Sequence, residues 1–193
     1  MLNKNLFESL EVTPFTLAVT PYRTKEGKLF SRVLEKDSEF IVKLSPTEVM
    51  EKSCNYFGSS LVGKQEGTKK ILKYSHKLPI CLEALSNMYF FPSTSPSNVG
   101  CHWLAHSHIR ELRPAENLKT EVVFFNGKSI LVEVSHGSLE NQLHRTAQYK
   151  HLLGKRIKSM LSYANQHHHP RRSFQQDLTD VYFVAEHFLE DQE

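Results

Sequence analysis

Asn126-Gly127 stands between two apolar runs, 119–125 and 128–134, that carry Val122, Val123, Phe124, Ile130, Leu131 and Val132. A tight turn between paired strands needs two positive φ angles, and Asn-Gly supplies them at low cost. The stretch is therefore predicted as a β-hairpin, which sets an antiparallel sheet as the framework of the chain. The residues upstream agree. Segments 28–35 and 39–44 flank Lys36-Asp37-Ser38, a second hairpin-like turn. Phe40, Val42 and Leu44 alternate with Ile41 and Lys43, as in a largely buried strand. Residues 16–20, 69–74, 79–83 and 88–91 are further strand candidates. The Ser-, Pro- and Asn-rich stretch 92–100 reads as a loop, and 101–112 as extended.

Two places change period. At Ser45-Pro46-Thr47-Glu48 a serine can cap a helix, proline suits the first helical position, and the glutamate can reach back to the cap amide. Val49, Met50, Cys54 and Phe57 follow at helical spacing, and Gly58 is a natural stop. From Ser138 the chain turns helical for roughly 38 Å at 1.5 Å per residue. Leu139, Leu143, Ala147, Leu153, Ile157, Met160, Leu161 and Ala164 form its apolar stripe. Arg145, Gln148, Lys155, Arg156 and Ser159 fall opposite, with His144, His151 and Lys158 at the edge. Gly154 is a potential break, and Lys150 falls inside the stripe without a reason in the pattern. A last helix is expected near Asp177, with Leu178, Val181, Tyr182, Ala185, Phe188 and Leu189 on one face. The expected fold class is α+β: an N-terminal antiparallel sheet with one inserted helix, followed by two C-terminal helices.

The 193 residues suit one domain with its own core, and 23% charged against 39% hydrophobic residues fit a soluble globular protein. No apolar run has the length of a membrane span. Residues 1–15 lack a charged start and apolar centre, so the expected location is cytoplasmic. Cys54, Cys81 and Cys101 are odd in number and widely spaced, which suits reduced, buried thiols.

The formal net charge of +3 conceals a segregation. Between Asn141 and Gln176 stand Arg145, Lys150, Lys155, Arg156, Lys158, Arg171 and Arg172, with His144, His151 and His167 to His169, and no acidic residue. From Asp177 to the end the sign reverses, with Asp177, Asp180, Glu186, Glu190, Asp191 and Glu193 and no Lys or Arg. Such a block is either a solvated face or a polyanion site. The positive residues lack local acidic partners and run on into an arm. Arg171-Arg172 beside Pro170 is similar to the short arginine arms that enter narrow A·T-rich minor grooves.

Chemical motifs are weaker. Gly58 to Lys64 approaches a phosphate-binding loop, but Gln65 stands where Ser or Thr should bind magnesium, and the loop follows a helix instead of a strand. The plainer reading is a flexible Gly/Ser loop that brings Lys64, Lys69 and Lys70 to the surface. Cys101, His102, His106 and His108 suggest a metal, yet in an extended strand the three histidines share one face while Cys101 and Trp103 point away. A half-buried strand with exposed histidines is preferred. Ser59 and Ser60 lack a nucleophile elbow, and Cys54 lies on the apolar side of its helix. No enzyme, cofactor or metal is expected. Two other classes remain to be separated: a regulatory protein that meets an acidic protein partner, and a metal-dependent enzyme using the histidines around Trp103.

The run Ser53-Cys54-Asn55-Tyr56-Phe57-Gly58-Ser59-Ser60 resembles the competence transcription factor ComK family of Gram-positive bacteria. So do Gly63-Lys64, Gly67-Thr68, Ser75-His76-Lys77-Leu78-Pro79-Ile80, Phe91-Pro92, the region from Trp103 to His108, Phe125-Asn126-Gly127, Glu140-Asn141-Gln142 and Arg145-Thr146-Ala147. Together they cover most of 12–153 in the same order, and the match fades after Leu153.

The resemblance implies a transcriptional activator of DNA-uptake genes that binds paired A/T-rich boxes largely from the minor groove. It implies a homo-oligomer, dimer or tetramer, acting with RNA polymerase and delivered by an adaptor to a Clp protease. It implies a nucleoid-associated protein without membrane partners. Members can carry a hydrophobic adaptor-binding segment before the last helix; here Phe174 to Leu178 keeps Phe174 and is otherwise more polar. The expected organisation is one DNA-binding domain, 1–193, with a basic helix and arm at 138–172 and an acidic helix at 177–190. The expected DNA contacts are Lys64, Lys69, Lys70, Arg145, Lys155, Arg156, Lys158, Arg171 and Arg172, acting by phosphate neutralisation and groove insertion.

Overall fold

The computed structural model describes residues 6–165. The chain divides into two units, Met1–Lys155 and Arg156–Glu193. In the first unit a seven-stranded sheet has the order β1-β4-β3-β2-β7-β6-β5, and a three-stranded sheet has the order β10-β9-β8. The strands are β1 (Leu6–Phe7), β2 (Thr16–Arg23), β3 (Leu29–Glu35), β4 (Glu39–Val42), β5 (Ile80–Glu83), β6 (Met88–Pro92), β7 (Trp103–Ala105), β8 (Ile109–Ala115), β9 (Lys119–Phe124) and β10 (Ser129–Val132). All pairs are antiparallel except the short edge strand β1, which runs parallel to β4. Helices α1 (Pro46–Tyr56) and α2 (Leu61–Leu72) enter between β4 and β5, and α3 spans His136–Asn165.

Burial sorts these elements into layers. Successive residues of a strand point to opposite faces, and in the middle of the large sheet both faces are buried. Val19, Phe90, Trp103 and Ala105 face a cluster with Val49, Met50 and Cys54 of α1 and Leu61 of α2. Leu17, Phe91 and Leu104 join Ile109, Val122, Phe124 and Val132 of the small sheet and Leu139 of α3 on the other side. Each such side chain contributes roughly 1.5–3 kcal/mol when fully buried. Their sum across two faces makes this sheet the anchor of the unit. A third cluster, Ile71, Leu72, Cys81, Tyr89 and Tyr149, joins α2, β5, β6 and α3.

Local chemistry explains several boundaries. The capping box of α1 is complete: Ser45 Oγ accepts from the Glu48 amide, and the Glu48 carboxylate accepts from the Ser45 amide at 2.7 Å. These hydrogen bonds hold the Glu48 carboxyl below its usual range. Gly58 ends the helix with φ +68°, a conformation glycine adopts without a Cβ penalty.

Several expectations are corrected. Two helices, not one, are inserted, and 69–74 is the end of α2 and its exit, not a strand. Ser60 caps α2 by accepting from Gly63 N at 3.0 Å, and Leu61, Thr68, Ile71 and Leu72 are its buried face. The presumed flexible Gly/Ser loop is thus mostly helix, and Lys64, Lys69 and Lys70 are carried on it. The Asn126-Gly127 hairpin forms, but positive φ occurs only at Gly127 (+84°). The Phe124 amide donates to Lys128 O and the Gly127 amide to Phe124 O, so the connection has three residues, 125–127. The stretch 101–112 is interrupted: β7 ends at Ala105, and His106–His108 form a 3₁₀ turn that hands the chain from the large sheet to the small one. The small sheet itself was not anticipated as separate.

Helix α3 begins two residues earlier than expected and passes Gly154 without a break. Its buried face keeps part of the expected stripe, with Leu139 buried and Leu143 and Leu153 packed on the core, and adds Gln142, Thr146 and Tyr149, whereas Ala147 is exposed. Met160 and Leu161 are exposed as well. The arm 167–172 and the helix expected from Asp177 lie outside the described residues.

Candidate nucleic-acid interface

Helix α2 is held by a buried side that leaves its lysines outside. Thr68 Oγ1 donates to Lys64 O at 3.0 Å and to Pro79 O at 2.8 Å, tying the helix to the entry of β5. With Thr68, Ile71 and Leu72 buried, Lys69 and Lys70 are exposed in the last turn. Cations are favoured there by the carbonyl end of the helix. Lys64 differs: it is half-buried, and its ammonium donates to Leu82 O at 3.3 Å.

The chain leaves α2 through Lys73 in the left-handed conformation (φ +58°) and returns to β5 by a loop that rests on α3. Gln142, buried on α3, fixes this loop. Its amide nitrogen donates to Lys77 O at 2.6 Å and to Pro92 O at 3.1 Å. Thr146 Oγ1 donates to Gln142 O one turn on. Arg145 places its guanidinium 4.3 Å from the centre of the Tyr74 ring and donates to Gln142 Oε1 at 3.4 Å. Lys77, at φ +50°, donates from Nζ to Ser138 Oγ at 3.4 Å. Between loop and helix lies a recess of about 280 Å³, lined by Tyr74, His76, Lys77, Ser138, Asn141 and Arg145 among others. No carboxylate lines it.

Elsewhere in the unit, several arginines and lysines are paired. Arg110 and Arg113 meet Glu111, Arg113 also meets Glu121, Lys119 meets Glu133, Lys43 meets Glu8, and Arg32 meets Glu39. Hydrogen bonds from Arg113 and Arg110 hold the Glu111 carboxyl below its usual range. Exposed pairs of this kind contribute little to stability, but they cancel the local field. Lys69, Lys70, Lys77 and Arg145 form no ion pair with a described residue. Positive potential is therefore left standing at the α2 exit, the following loop and the start of α3.

Of the sequence-predicted contacts, Lys69 and Lys70 share one turn of α2, and Arg145 meets the loop that follows that turn. Lys155 is half-exposed further along α3 at the end of the first unit, and Arg156 and Lys158 belong to the second. Arg171 and Arg172 lie outside the described residues. Tyr74, Lys77 and Ser138 were missed. They stand far from Arg145 in sequence, and the only earlier sign of Lys77 was its place in the Ser75-to-Ile80 match.

The residues weighed for other chemistry are placed as follows. Gly58 to Lys64 follows helix α1 instead of a strand, and the Lys64 ammonium is engaged by Leu82. Among the described residues no three of His, Cys, Asp or Glu are grouped to hold a metal. His102, His106 and His108 are half-buried instead of exposed. Burial brings His102 down to about 4, with Arg32 adding to the effect, and lowers His106 too, with Lys150 contributing. Lys150, unexplained in the helical pattern, thus lies within electrostatic reach of His106. The three cysteines are buried thiols, and burial raises Cys54 to about 11, far from a reactive thiolate. No helix among the described residues is long and apolar enough to cross a membrane.

The family model described as ComK protein matches residues 7–158. A competence transcription factor of Bacillus subtilis (strain 168) is 40% identical over 140 residues, covering 72% of this chain and 72% of that relative. No solved structure matches the chain.

Proposed function

The chain belongs to the ComK family, and from that premise we propose that it is a transcription factor that activates DNA-uptake genes by binding duplex DNA. One observation supports this most directly. Arg32, Lys43, Arg110, Arg113 and Lys119 meet carboxylates over the sheets, whereas Lys69, Lys70, Lys77 and Arg145, gathered at the α2 exit and the start of α3, form no ion pair with a described residue. A phosphate backbone is the polyanion such a face fits, and release of its counterions drives the association. Lys155, Arg156 and Lys158 are further candidate phosphate contacts, and Lys64 has a structural part besides.

The finer reading is A/T-rich promoter boxes approached largely from the minor groove, with Arg171 and Arg172 inserted. Narrow A-tract grooves concentrate negative potential, and arginine gains most there. Paired boxes favour a symmetric protein, so the active species is a dimer or tetramer that engages RNA polymerase. It works at the nucleoid, in the cytoplasm, as a regulator without catalysis, and its level is set by adaptor-mediated proteolysis. The test is a titration of A/T-rich against G/C-rich duplex, repeated with distamycin occupying the minor groove. Preference for the A/T duplex, lost to distamycin, is expected. Equal binding to both duplexes refutes the minor-groove reading, and no binding to either refutes DNA recognition altogether.

A further inference from the structure

The recess between the α2–β5 loop and the start of α3 brings Lys77 and Arg145 together. Two cationic side chains enter it, and no carboxylate balances them. Two like charges sharing a partly enclosed space repel unless an anion joins them. Both are held in place nonetheless. Arg145 is stacked on Tyr74 and bonded to Gln142, which uses one of its five N–H donors. The Lys77 backbone is pinned by the buried Gln142 amide, and its ammonium spends one hydrogen on Ser138. Ser138 and Asn141 add neutral hydrogen-bonding groups from the first turns of α3, where the helix dipole favours negative charge.

We propose that this recess seats a single phosphate of the DNA backbone, with Arg145 and Lys77 supplying the charge and Ser138 and Asn141 the neutral contacts. The proposal rests on the DNA-binding reading above and gives that surface a fixed point. The exposed Lys69 and Lys70 can follow any phosphate within reach. A phosphate in the recess has one position relative to α3, so it sets the register of the protein on the duplex. Phosphate contacts of this type position a protein without reading bases.

The experiment uses the full chain and an A/T-rich duplex titrated at several salt concentrations, with single methylphosphonate linkages walked along each strand. Three proteins are compared: the unaltered chain, Lys77→Gln with Arg145→Gln, and Ser138→Asp. The last places a carboxylate in the recess at the positive end of α3, where acidic residues favour the helix, so its thermal unfolding should show an intact fold. For the unaltered chain, one methylphosphonate position should weaken binding distinctly. In both variants that sensitivity should vanish, and with Ser138→Asp the log–log salt slope should become shallower by about one unit. If the unaltered chain binds DNA while both variants keep its slope and its methylphosphonate profile, the recess holds no phosphate and the wider reading stands. If the unaltered chain binds no DNA, the wider reading fails and this proposal falls with it.

Discussion

Arg145 and Lys158 lie on one helix and carry the same charge, yet they are held very differently. Arg145 is packed on Tyr74, bonded to Gln142 and set beside a loop that Gln142 anchors. The side chain of Lys158, like those of Lys155 and Arg156, makes no hydrogen bond or ion pair with a described residue. The difference separates two kinds of electrostatic binding. A held cation has already lost its rotamer freedom, so it accepts an anion in one geometry at little further entropy cost. A loose cation attracts any phosphate in range and adds affinity without register. Both are positive in composition; only the first has a defined position.

The largest test breaks the held region at its centre. Gln142→Ala removes the donor to the part-buried Lys77 O and the buried Pro92 O, at about 1–3 kcal/mol for a buried group left unpaired. The expected loss is about 2–4 kcal/mol in urea unfolding, with weaker DNA binding at temperatures where the variant is folded. A loss below about 0.5 kcal/mol would show that the loop is held by something else. Next comes the loose region. With Lys155, Arg156 and Lys158 all changed to Gln, stability should move by about 0.5 kcal/mol or less per site. DNA binding should weaken, with a salt slope shallower by about two to three units and the A/T preference kept. An unchanged slope would return these residues to a solvated face.

A smaller effect sharpens the contrast. Tyr74→Leu keeps an apolar contact but removes the ring beneath Arg145, a cation–π interaction of about 0.5–1 kcal/mol at an exposed site. Affinity should fall by roughly two- to fivefold while the salt slope holds, since the charge remains. A change in slope would mean that the ring only shapes the fold. The smallest effect concerns Lys150. Burial is the main reason that His106 titrates below its usual value, and Lys150 adds to it. A histidine with a depressed folded-state pKa favours the folded protein fully above the unfolded value near 6.5, and that contribution is lost as pH falls through the folded one. Lys150→Gln should raise the His106 pKa, read by NMR titration, and soften the acid-side loss of stability. No movement of His106 would mean that Lys150 is too well solvated to act on it.

What could be read from the residues follows the range of the forces involved. The capping box at Ser45, the stop at Gly58 and the hairpin at Asn126-Gly127 are set by neighbours within a few positions, and each formed. Helix α2 escaped because Gly63 and Gly67 lower its propensity and lysines interrupt its pattern; Ser60 and the buried Thr68 carry it instead. The stripe on α3 holds at Leu139, Leu143 and Leu153 and is incomplete because counting apolar residues ignored hydrogen bonding. Gln142 and Thr146 are buried through bonds to carbonyls, and Ala147 is exposed. The meeting of Tyr74 and Lys77 with Arg145 and Ser138 depends on tertiary packing, which no local pattern encodes. The family resemblance reached the right regulator class by a route independent of all of these.

The order of the large sheet sets a schedule for the ribosome. Strand β2 lies against β7, with Val19 opposite Trp103, so half of the sheet waits for the other half to be synthesised. At about 5–20 residues per second, the β2 edge stays unpaired for several seconds after it emerges. Its Leu17, Ala18 and Val19, all buried at the end, are then displayed on an open strand. For that interval the nascent chain is a substrate for chaperones, for proteases and for other strands of its own kind. The time to a protected sheet is governed by translation through Trp103, and a pause in the message between the codons for Val19 and Trp103 would lengthen exposure without altering a single residue.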